Sequence, residues 1–511
     1  MQICCEEKDC LRSPLMDVSN NKEYQKDESD PLVDEDRPVD ADGQPPLITL
    51  PLPVPVPPEC FFGSSRPRET LLALPLAQQH HWQRLLTSFQ AYGRHSEGNR
   101  VDVLDDGDQV LQAMLEAICA ARTRVWLESY IFDGSKLAER FVDALVDAAH
   151  RGCDTLLLID YVGAFSIKSR WIDRMRKAGV AVIVFNPALP GLDGSKSIGP
   201  LSYRDHRKIL IADTTAFCGS INISDDAGGP LLGNSRFYDV HMRLRGPCVA
   251  HLADVLRDSL AEAFRDVWRP PIDVPEEYED GVYVQVLESN IRQGRRQIMD
   301  ALSKATRQAQ QSIELTTSYF YPPGVLRRAL VSASRRGIPI SILLSGNSDL
   351  LGDVMGSTHL VKKFLRVPGN QTRVHFLMPQ HMHAKHTVVD GVWSCVGSFN
   401  WDRYSARRNL EVAVSIFDGQ VASQLSALHH RKAHNEKECY EMTWERWQRQ
   451  SPLKKLICWF AYCCVRLTGK NVSDGLSNTR QKALVRRALI HTYLDERAAK
   501  NLATGMMWGI Q

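Results

Sequence analysis

Two segments of this 511-residue chain repeat one order of polar residues, and this repeat restricts the possible folds more than any other feature. RDHRKILIAD (204–213) and HMHAKHTVVD (381–390) both contain His, one residue, Lys, four residues and Asp. Each segment is followed by Gly-Ser-x-Asn, at 219–222 and at 397–400. A repeat of this kind predicts a duplicated unit that extends into the flanking sequence.

The stretches upstream of the two segments correspond as well. Residues 105–132 parallel 295–320, and 143–160 parallel 329–345, each with a helical pattern that runs into an apolar run. Short Val- and Ile-rich runs are typical of buried parallel strands, and their alternation with amphipathic helices indicates an α/β sheet. The sequence therefore predicts an α/β fold of two tandem domains, each of roughly 170 residues.

The charge of the chain is unevenly distributed. Residues 1–60 have a net charge of −9 and the remainder +11, within a formal total of +2. A basic globular part suits phosphate-bearing partners, either nucleic acid or anionic lipid. The thirteen Cys have scattered spacings, so we expect no disulfide framework and a reducing compartment.

Composition also divides the chain into four regions. Residues 1–75 are acidic and then Pro-rich, which predicts a disordered tail. The two α/β domains are predicted at 76–272 and 273–445, followed by a helical extension at 446–511. No apolar run reaches the roughly 18 residues that a membrane-spanning helix requires.

The repeated His and Lys suit chemistry on a phosphate group. In a strand, His206 and Lys208 share one face, as do His383 and Lys385, whereas each Asp faces the opposite side. Imidazole can attack phosphorus or protonate a leaving oxygen, and ammonium neutralises phosphate oxygens. With two copies, one His can act as nucleophile while the other serves as acid. The Gly-Ser-x-Asn turns add candidate phosphate donors, namely Ser220, Asn222, Ser398 and Asn400.

These residues resemble the paired HKD motifs of the phospholipase D superfamily, and most of all its cardiolipin synthase branch. The segments that carry the resemblance are 204–222, RFYDVHMRLRGPCV (236–249) and VGSFNWDRYSARRNLEV (396–412). Thr214 stands where relatives usually have Gly, and Ser220 where that branch often has a second Gly. The resemblance implies two domains related by a pseudo-twofold axis, with one active site at their interface.

The resemblance also implies the roles of individual residues. The catalytic motif residues would be His206, Lys208, Asp213, His383, Lys385 and Asp390. His206 would be the nucleophile that forms a phosphohistidine and His383 the acid, although the pseudo-symmetry permits the reverse. Asp239 and Glu411, downstream of the two motifs, would orient the imidazoles. Asp213 and Asp390 would stabilise the local fold, and neither a metal nor another cofactor is implied.

Two C-terminal stretches raise the question of membrane contact. SPLKKLICWFAYCCVRLTGK (451–470) is too short to span a bilayer but suits a segment in the headgroup zone, with basic residues on anionic lipid. The alternative is a helix packed on the catalytic domains. RQKALVRRALIHTYLDER (480–497) indicates a basic amphipathic helix with the same two interpretations.

Together these features predict a phosphatidyl transferase that makes cardiolipin from phosphatidylglycerol-type lipids. The predicted partners are the phospholipid substrate and an anionic membrane surface, without nucleic acid and with no requirement for an oligomer. We expect a peripheral membrane protein on a cytoplasmic or organellar face. The alternatives are a hydrolase of the same superfamily and an inactive membrane-binding scaffold.

Overall fold

The computed structural model describes residues 57–186, 203–263, 269–348, 350, 352–367, 369 and 371–470. The predicted acidic tail falls largely outside these ranges, as does the helix predicted at 480–497.

The first half alternates strands and helices in the predicted order. Its elements, after the N-terminal helices α1 (Pro58–Phe61), α2 (Ser65–Leu72) and α3 (Leu76–Phe89), are β1 (Arg94–Leu104), α4 (Gly107–Ala120), β2 (Arg124–Ser129), α5 (Lys136–His150), β3 (Asp154–Asp160), α6 (Ser169–Lys177), β4 (Ala181–Phe185), β5 (Lys208–Ala212), β6 (Thr215–Gly219), β7 (Phe237–Tyr238), β8 (His241–Arg245) and α7 (Cys248–Glu262).

The second half repeats this order. Its elements are β9 (Val282–Asn290), β10 (Arg295–Arg296), α8 (Gln297–Gln308), β11 (Ile313–Thr317), α9 (Gly324–Arg335), β12 (Ile340–Ser345), α10 (Asp353–Leu365), β13 (Thr372–Leu377), β14 (His381–Met382), β15 (His386–Val389), β16 (Trp393–Gly397), α11 (Arg403–Arg407), β17 (Glu411–Phe417) and α12 (Gly419–Ala433), then β18 (Cys439–Glu441), α13 (Trp444–Gln448) and α14 (Pro452–Lys470).

The two halves form one continuous sheet, in which equivalent strands follow the same order outward from the centre and β18 is an additional edge strand. The order is β18-β13-β12-β11-β15-β16-β17-β9-β1-β8-β6-β5-β2-β3-β4, with β10 beside β9. Strands β1 and β9 pair antiparallel at the centre, and on each side the order of equivalent strands is the same. This arrangement confirms the α/β fold of two related units, and it places the pseudo-twofold axis between β1 and β9.

The two halves also share a hydrophobic core. Met242 and Leu256 of the first half belong to the same buried cluster as Val414 and Leu425 of the second. Helix α7 contacts β9 and helix α12 contacts β1, so each helix reaches across the axis. Apolar surface is therefore removed from water between the halves, which fixes one half against the other.

The beginning of the folded part corrects the predicted boundary at residue 75. Phe62 and Leu71 are buried, and the Arg66 guanidinium bonds the Asp418 carboxylate at 2.7 Å. Leu71 and Trp82 pack in the core of the second half, with Leu287 among their neighbours. The sequence contains no periodic signal for these helices because α1 has only four residues and α2 only eight.

Helix α14 is packed on one side and exposed on the other. Cys458 is buried, and the Tyr462 ring stacks on His359 of α10 at 5.2 Å between centroids. The opposite side exposes Leu453, Leu456, Ile457, Trp459 and Phe460. Within the described ranges no helix is long and apolar enough to cross a membrane.

His386 leads to a prediction about stability in acid. Its side chain is buried, neither ring nitrogen has a hydrogen-bond partner among the described residues, and burial lowers its pKa to about 4. The folded protein therefore binds this proton more weakly than the unfolded chain, whose imidazole titrates near 6.5. Stability from the neutral ring is present above pH 6.5 and is lost as the pH falls towards 4, by roughly 2 kcal/mol between pH 7 and pH 5.

Urea unfolding of the His386→Leu protein at pH 7 and pH 5 checks this prediction. The loss of stability on acidification should be smaller than in the parent protein by roughly 2 kcal/mol. Val388→Ala is the matched control, because it changes another buried side chain of β15 without removing a titrating group, so the acid loss should stay as in the parent protein. An undiminished loss in His386→Leu would contradict the assignment.

Candidate active site

His206 lies just before β5 and is held by the second half. Its backbone N–H donates to the Leu410 carbonyl at 3.0 Å, and its Nδ1 bonds the Glu411 carboxylate at 3.0 Å. The residue is 9% exposed, so the ring is largely withdrawn from water. The predicted strand begins at Lys208 and not at His206, because the backbone of residue 206 pairs across the axis.

His383 is held by the first half in the same manner. Its backbone N–H donates to the Tyr238 carbonyl at 2.9 Å, and its Nδ1 bonds the Asp239 carboxylate at 2.6 Å. Strand β15 begins only at His386, so this His also precedes its predicted strand. Each predicted acid thus supports the imidazole of the other half, a crossed arrangement that the sequence spacing did not indicate.

The pKa shifts of these pairs favour one protonation state. Burial lowers the pKa of His206 and lowers that of His383 to about 3, against the opposing effect of each carboxylate. Burial acts to raise the pKa of Asp239 and Glu411, but the imidazoles outweigh it and hold both acids below their usual values. These shifts favour neutral imidazoles beside ionised carboxylates. In that state Nδ1–H donates to the acid, and Nε2 keeps its lone pair.

The two lysines are buried beside their histidines. Lys208 Nζ donates to the His206 carbonyl at 2.8 Å, and Lys385 Nζ donates to the His383 carbonyl. Burial lowers the pKa of Lys208 to about 8, with Glu411 acting in the opposite sense. The charge of Lys385 also contributes to the lowered pKa of His206, so groups of both halves act on one another. Two buried ammonium groups favour an anion such as a phosphodiester.

Asn222 and Asn400 occupy equivalent positions. Asn222 Oδ1 accepts from the Ile131 N–H at 3.2 Å, and Asn400 Oδ1 lies 3.5 Å from the Thr317 hydroxyl. The Asn222 Nδ2 group is buried and has no hydrogen-bond partner among the described residues. A buried amide without a partner is costly, and a phosphate oxygen would satisfy it.

Ser220 and Ser398, predicted as phosphate donors, form hydrogen bonds with protein groups. Ser220 Oγ donates to the Val240 carbonyl at 3.0 Å, and Ser398 Oγ donates to Glu411. Both hydroxyls are fully buried and used by protein partners, so we remove them from the candidate phosphate-binding set. Gly397 precedes Ser398 because a Cβ there would lie 2.2 Å from the Val412 carbonyl of β17.

Asp213 and Asp390, the remaining predicted motif residues, lie in turns and bond backbone groups. Both have positive φ, at 51° and 54°, at the turns that follow β5 and β15. Asp213 accepts from the N–H groups of residues 122–124, and Asp390 from those of residues 310–312. Each carboxylate therefore links the turn after its motif strand to a helix–strand connection. This connection is α4–β2 for Asp213 and α8–β11 for Asp390. The alternation of side chains along a strand had predicted only that each Asp faces away from its His and Lys, and the resemblance implied the structural role.

Replacing Asp213 by alanine should lower the free energy of unfolding by roughly 2–4 kcal/mol, because charged hydrogen bonds to three N–H groups are lost. Denaturant unfolding measures the loss. Asp213→Asn keeps an acceptor oxygen and tolerates the positive φ, so it should lose less. If the change acts only through the turn, turnover per folded molecule stays at the parent value. A large fall in that turnover would return Asp213 to the catalytic set.

Several neighbours of the site were not predicted from the sequence. The Tyr130 ring contacts His206 with centroids 4.9 Å apart, and the Phe237 ring stacks on His383 at 5.2 Å. Ser318 Oγ accepts from Lys385 Nζ at 3.0 Å, and Ser405 Oγ donates to Glu411 at 2.7 Å. The repeat contained a signal for the first and third of these, because SYIF (129–132) and TSYF (317–320) end equivalent strands.

The comparison with known proteins agrees with this geometry. The family model described as "Cardiolipin synthase, PLD-like domain" matches residues 114–229 and 302–432, one match in each half. The major cardiolipin synthase ClsA of Bacillus subtilis (strain 168) is 30% identical over 340 residues, which are 65% of this chain and 68% of the relative. The chain belongs to the cardiolipin synthase family. It is accordingly an enzyme of the phospholipase D superfamily, as the paired motifs predicted.

Two further comparisons give another relative in sequence and a solved structure with the same fold. Cardiolipin synthase A of Pseudomonas syringae pv. syringae (strain B728a) is 27% identical over 332 residues, which are 65% of this chain and 67% of the relative. The matches to these relatives therefore span about two thirds of each relative's length. Phosphatidylserine synthase of Haemophilus influenzae Rd KW20 has the same fold, with a TM-score of 0.58 and 12% identity over 76% of this chain and 98% of that chain.

Proposed function

We propose that this enzyme transfers a phosphatidyl group from a phosphatidylglycerol-type phospholipid to an alcohol group of a second phospholipid, through a phosphohistidine. The observation that carries the proposal is the crossed pairing of His206 with Glu411 and of His383 with Asp239. Each imidazole keeps an Nε2 lone pair while a carboxylate fixes its Nδ1 proton. Two such imidazoles can divide the roles of nucleophile and acid.

In the first step, Nε2 of His206 attacks phosphorus and the bond from phosphorus to the glycerol oxygen of the donor headgroup breaks. The leaving oxygen takes a proton from Nε2 of His383, which has been protonated in the complex. Burial lowers the pKa of this imidazole, and the negative charge of the bound phosphodiester acts to raise it. The assignment of nucleophile to His206 follows the order usual in two-motif relatives.

In the second step, His383 is neutral and accepts a proton from the incoming hydroxyl. That oxygen bonds phosphorus as the bond from phosphorus to His206 breaks, which restores both imidazoles. Lys208 and Lys385 neutralise the phosphate oxygens in both steps, and Asn222 Nδ2 is a further donor. This chemistry uses protein groups alone.

Association with a membrane surface supplies the lipid substrate in this proposal. The exposed apolar side of α14 resembles a helix that lies in the headgroup zone, and Lys454 and Lys455 near its start suit anionic lipid. The packed side of the same helix keeps it on α10. In this proposal the packed side of α14 contacts the protein and its exposed apolar side contacts lipid.

Purified protein with phosphatidylglycerol vesicles tests the proposal. Formation of cardiolipin with release of glycerol supports phosphatidyl transfer. Phosphatidic acid as the main product would instead establish the hydrolase alternative, and vesicle binding without any product would establish the inactive scaffold.

A further inference from the structure

A cavity of about 80 Å³ lies between helices α10, α11 and α14. Its walls come from the connection after β11, the starts of α10 and α11, and the inner side of α14, represented by Tyr319, Asp353, Asp402 and Val465. Neither imidazole of the proposed catalytic pair lines it, so this is a second space beside the site.

Two series of neighbouring residues connect the cavity walls to the catalytic imidazoles. Tyr319 follows Ser318, the acceptor of Lys385, and its ring contacts His381, whose ring lies 6.1 Å from that of His383. On another wall, Asp402 accepts from the Ser405 N–H at 2.8 Å, and the Ser405 hydroxyl donates to Glu411, which holds His206. A group bound in the cavity would therefore lie next to the support of each histidine.

Polarity changes from the inside of the cavity to its rim. The inner carboxyl groups of Asp353 and Asp402 belong to residues that are 4% and 7% exposed. The rim contains Leu350 and Tyr404, which are 54% and 36% exposed, and Val465 of α14. An amphipathic molecule that enters with its polar end first matches this gradient.

The charges of the walls distinguish between parts of a phospholipid. Carboxyl groups repel a phosphodiester anion but accept hydrogen bonds from hydroxyl groups, and burial raises the pKa of Asp402 to about 7. Arg327 and Arg403 also line the cavity, and guanidinium groups suit phosphate. Hydroxyl groups inside, a phosphate near the arginines and hydrocarbon at the rim describe one phosphatidylglycerol-type molecule.

We propose that this cavity binds the acceptor phospholipid, with its polyol headgroup against Asp353 and Asp402 and its hydrocarbon at the rim beside α14. The inference rests on the proposed function and adds the acceptor site to it. The bound headgroup presents a hydroxyl to the phosphohistidine. Its proton passes to His383, its oxygen bonds phosphorus, and the bond to His206 breaks. Occupancy of the cavity by a lipid headgroup also keeps water from that position, which favours transfer over hydrolysis.

The ratio of cardiolipin to phosphatidic acid made from phosphatidylglycerol vesicles tests the inference. Val465→Trp fills the rim, and Asp353→Asn removes one carboxylate with little change of shape. Each should lower the ratio about ten-fold, as expected when an interaction with one of two competing acceptors is lost. The matched controls are Val274→Trp, on an exposed connection before β9, and Asp143→Asn, on exposed α5, and both should keep the parent ratio.

Parent ratios in both cavity variants would overturn the inference, and circular dichroism identifies a variant that has not folded. A second measurement separates this result from failure of the proposed function. The His206→Ala protein is titrated calorimetrically with glycerophosphoglycerol, the soluble headgroup. If the inference is right, one glycerophosphoglycerol molecule binds per protein chain. Adding Val465→Trp should abolish this binding, and adding Val274→Trp should preserve it. Binding that ignores Val465→Trp, or no binding, refutes the acceptor site whether or not the parent protein turns over.

Discussion

Replacing either His206 or His383 by alanine should lower turnover of phosphatidylglycerol by at least about 10³-fold, because groups that act as one unit are not additive. Neither half can complete the reaction alone. One imidazole bonds phosphorus, and the other must carry the proton to and from the alcohol oxygen. Glycerol release and cardiolipin formation by each purified variant measure the effect.

The control for this prediction is His430→Ala, because His430 is partly exposed on α12 and bonds Glu314, outside the proposed site. A His383→Ala protein that retained half of the parent activity would show that the two motifs work as separate sites. A donor with a good leaving group, such as a nitrophenyl phosphodiester, then identifies the nucleophile. Such a leaving group needs no proton, so the variant that lacks the acid histidine should still form phosphohistidine from this donor. The variant that lacks the nucleophilic histidine should not.

Periodicity and repetition in the sequence were sufficient to predict the two related α/β halves. Buried strands such as β3 and β12 appear as short apolar runs, and the helices between them have an apolar side at helical spacing. The repeated His and Lys could be assigned to a phosphate site because their chemistry is restricted to few uses. These predictions depend on residues close together in sequence.

The crossed acids could not be predicted in the same way. His206 and Glu411 are 205 residues apart, and His383 and Asp239 are 144 apart, so each hydrogen bond depends on how one half lies against the other. Periodicity gives the side of a strand that a residue faces but not the partner across a domain junction. The serines of the Gly-Ser-x-Asn turns were misassigned for a related reason. Their hydroxyls bond Val240, just before β8, and Glu411, in β17, whose positions beside the turns are set by the sheet.

The two halves are not equivalent beyond the motifs. Arg207 follows His206, whereas Ala384 follows His383. The Arg207 guanidinium is fully buried and donates to the Glu288 carboxylate at 2.8 Å and to the Glu411 carbonyl at 3.3 Å. The acid that orients His206 is therefore fixed through its backbone as well as its side chain. Such asymmetry suits two imidazoles with different roles, a nucleophile that must be held still and an acid that exchanges protons.

Replacing Asp239 by asparagine should lower turnover by about 10³–10⁴-fold, because an amide no longer fixes the Nδ1 proton of the imidazole it contacts. The affected imidazole should be His383, of the other half, and not His206. In ¹⁵N NMR spectra the ring nitrogens of His383 should change towards the other tautomer, and its pKa should fall further because the Asp239 charge that opposes burial is gone. The spectrum of His206 should stay as in the parent protein.

Glu411→Gln provides the reciprocal measurement, with the spectral change at His206 and none at His383. A variant that altered the imidazole of its own half would contradict the crossed pairing even if activity fell as expected. The distinction matters for mechanism because each catalytic imidazole then depends on both halves being docked. A half that separated from the other would lose both the carboxylate that bonds its histidine and the second histidine. The protonation state of the site therefore depends on docking of the two halves.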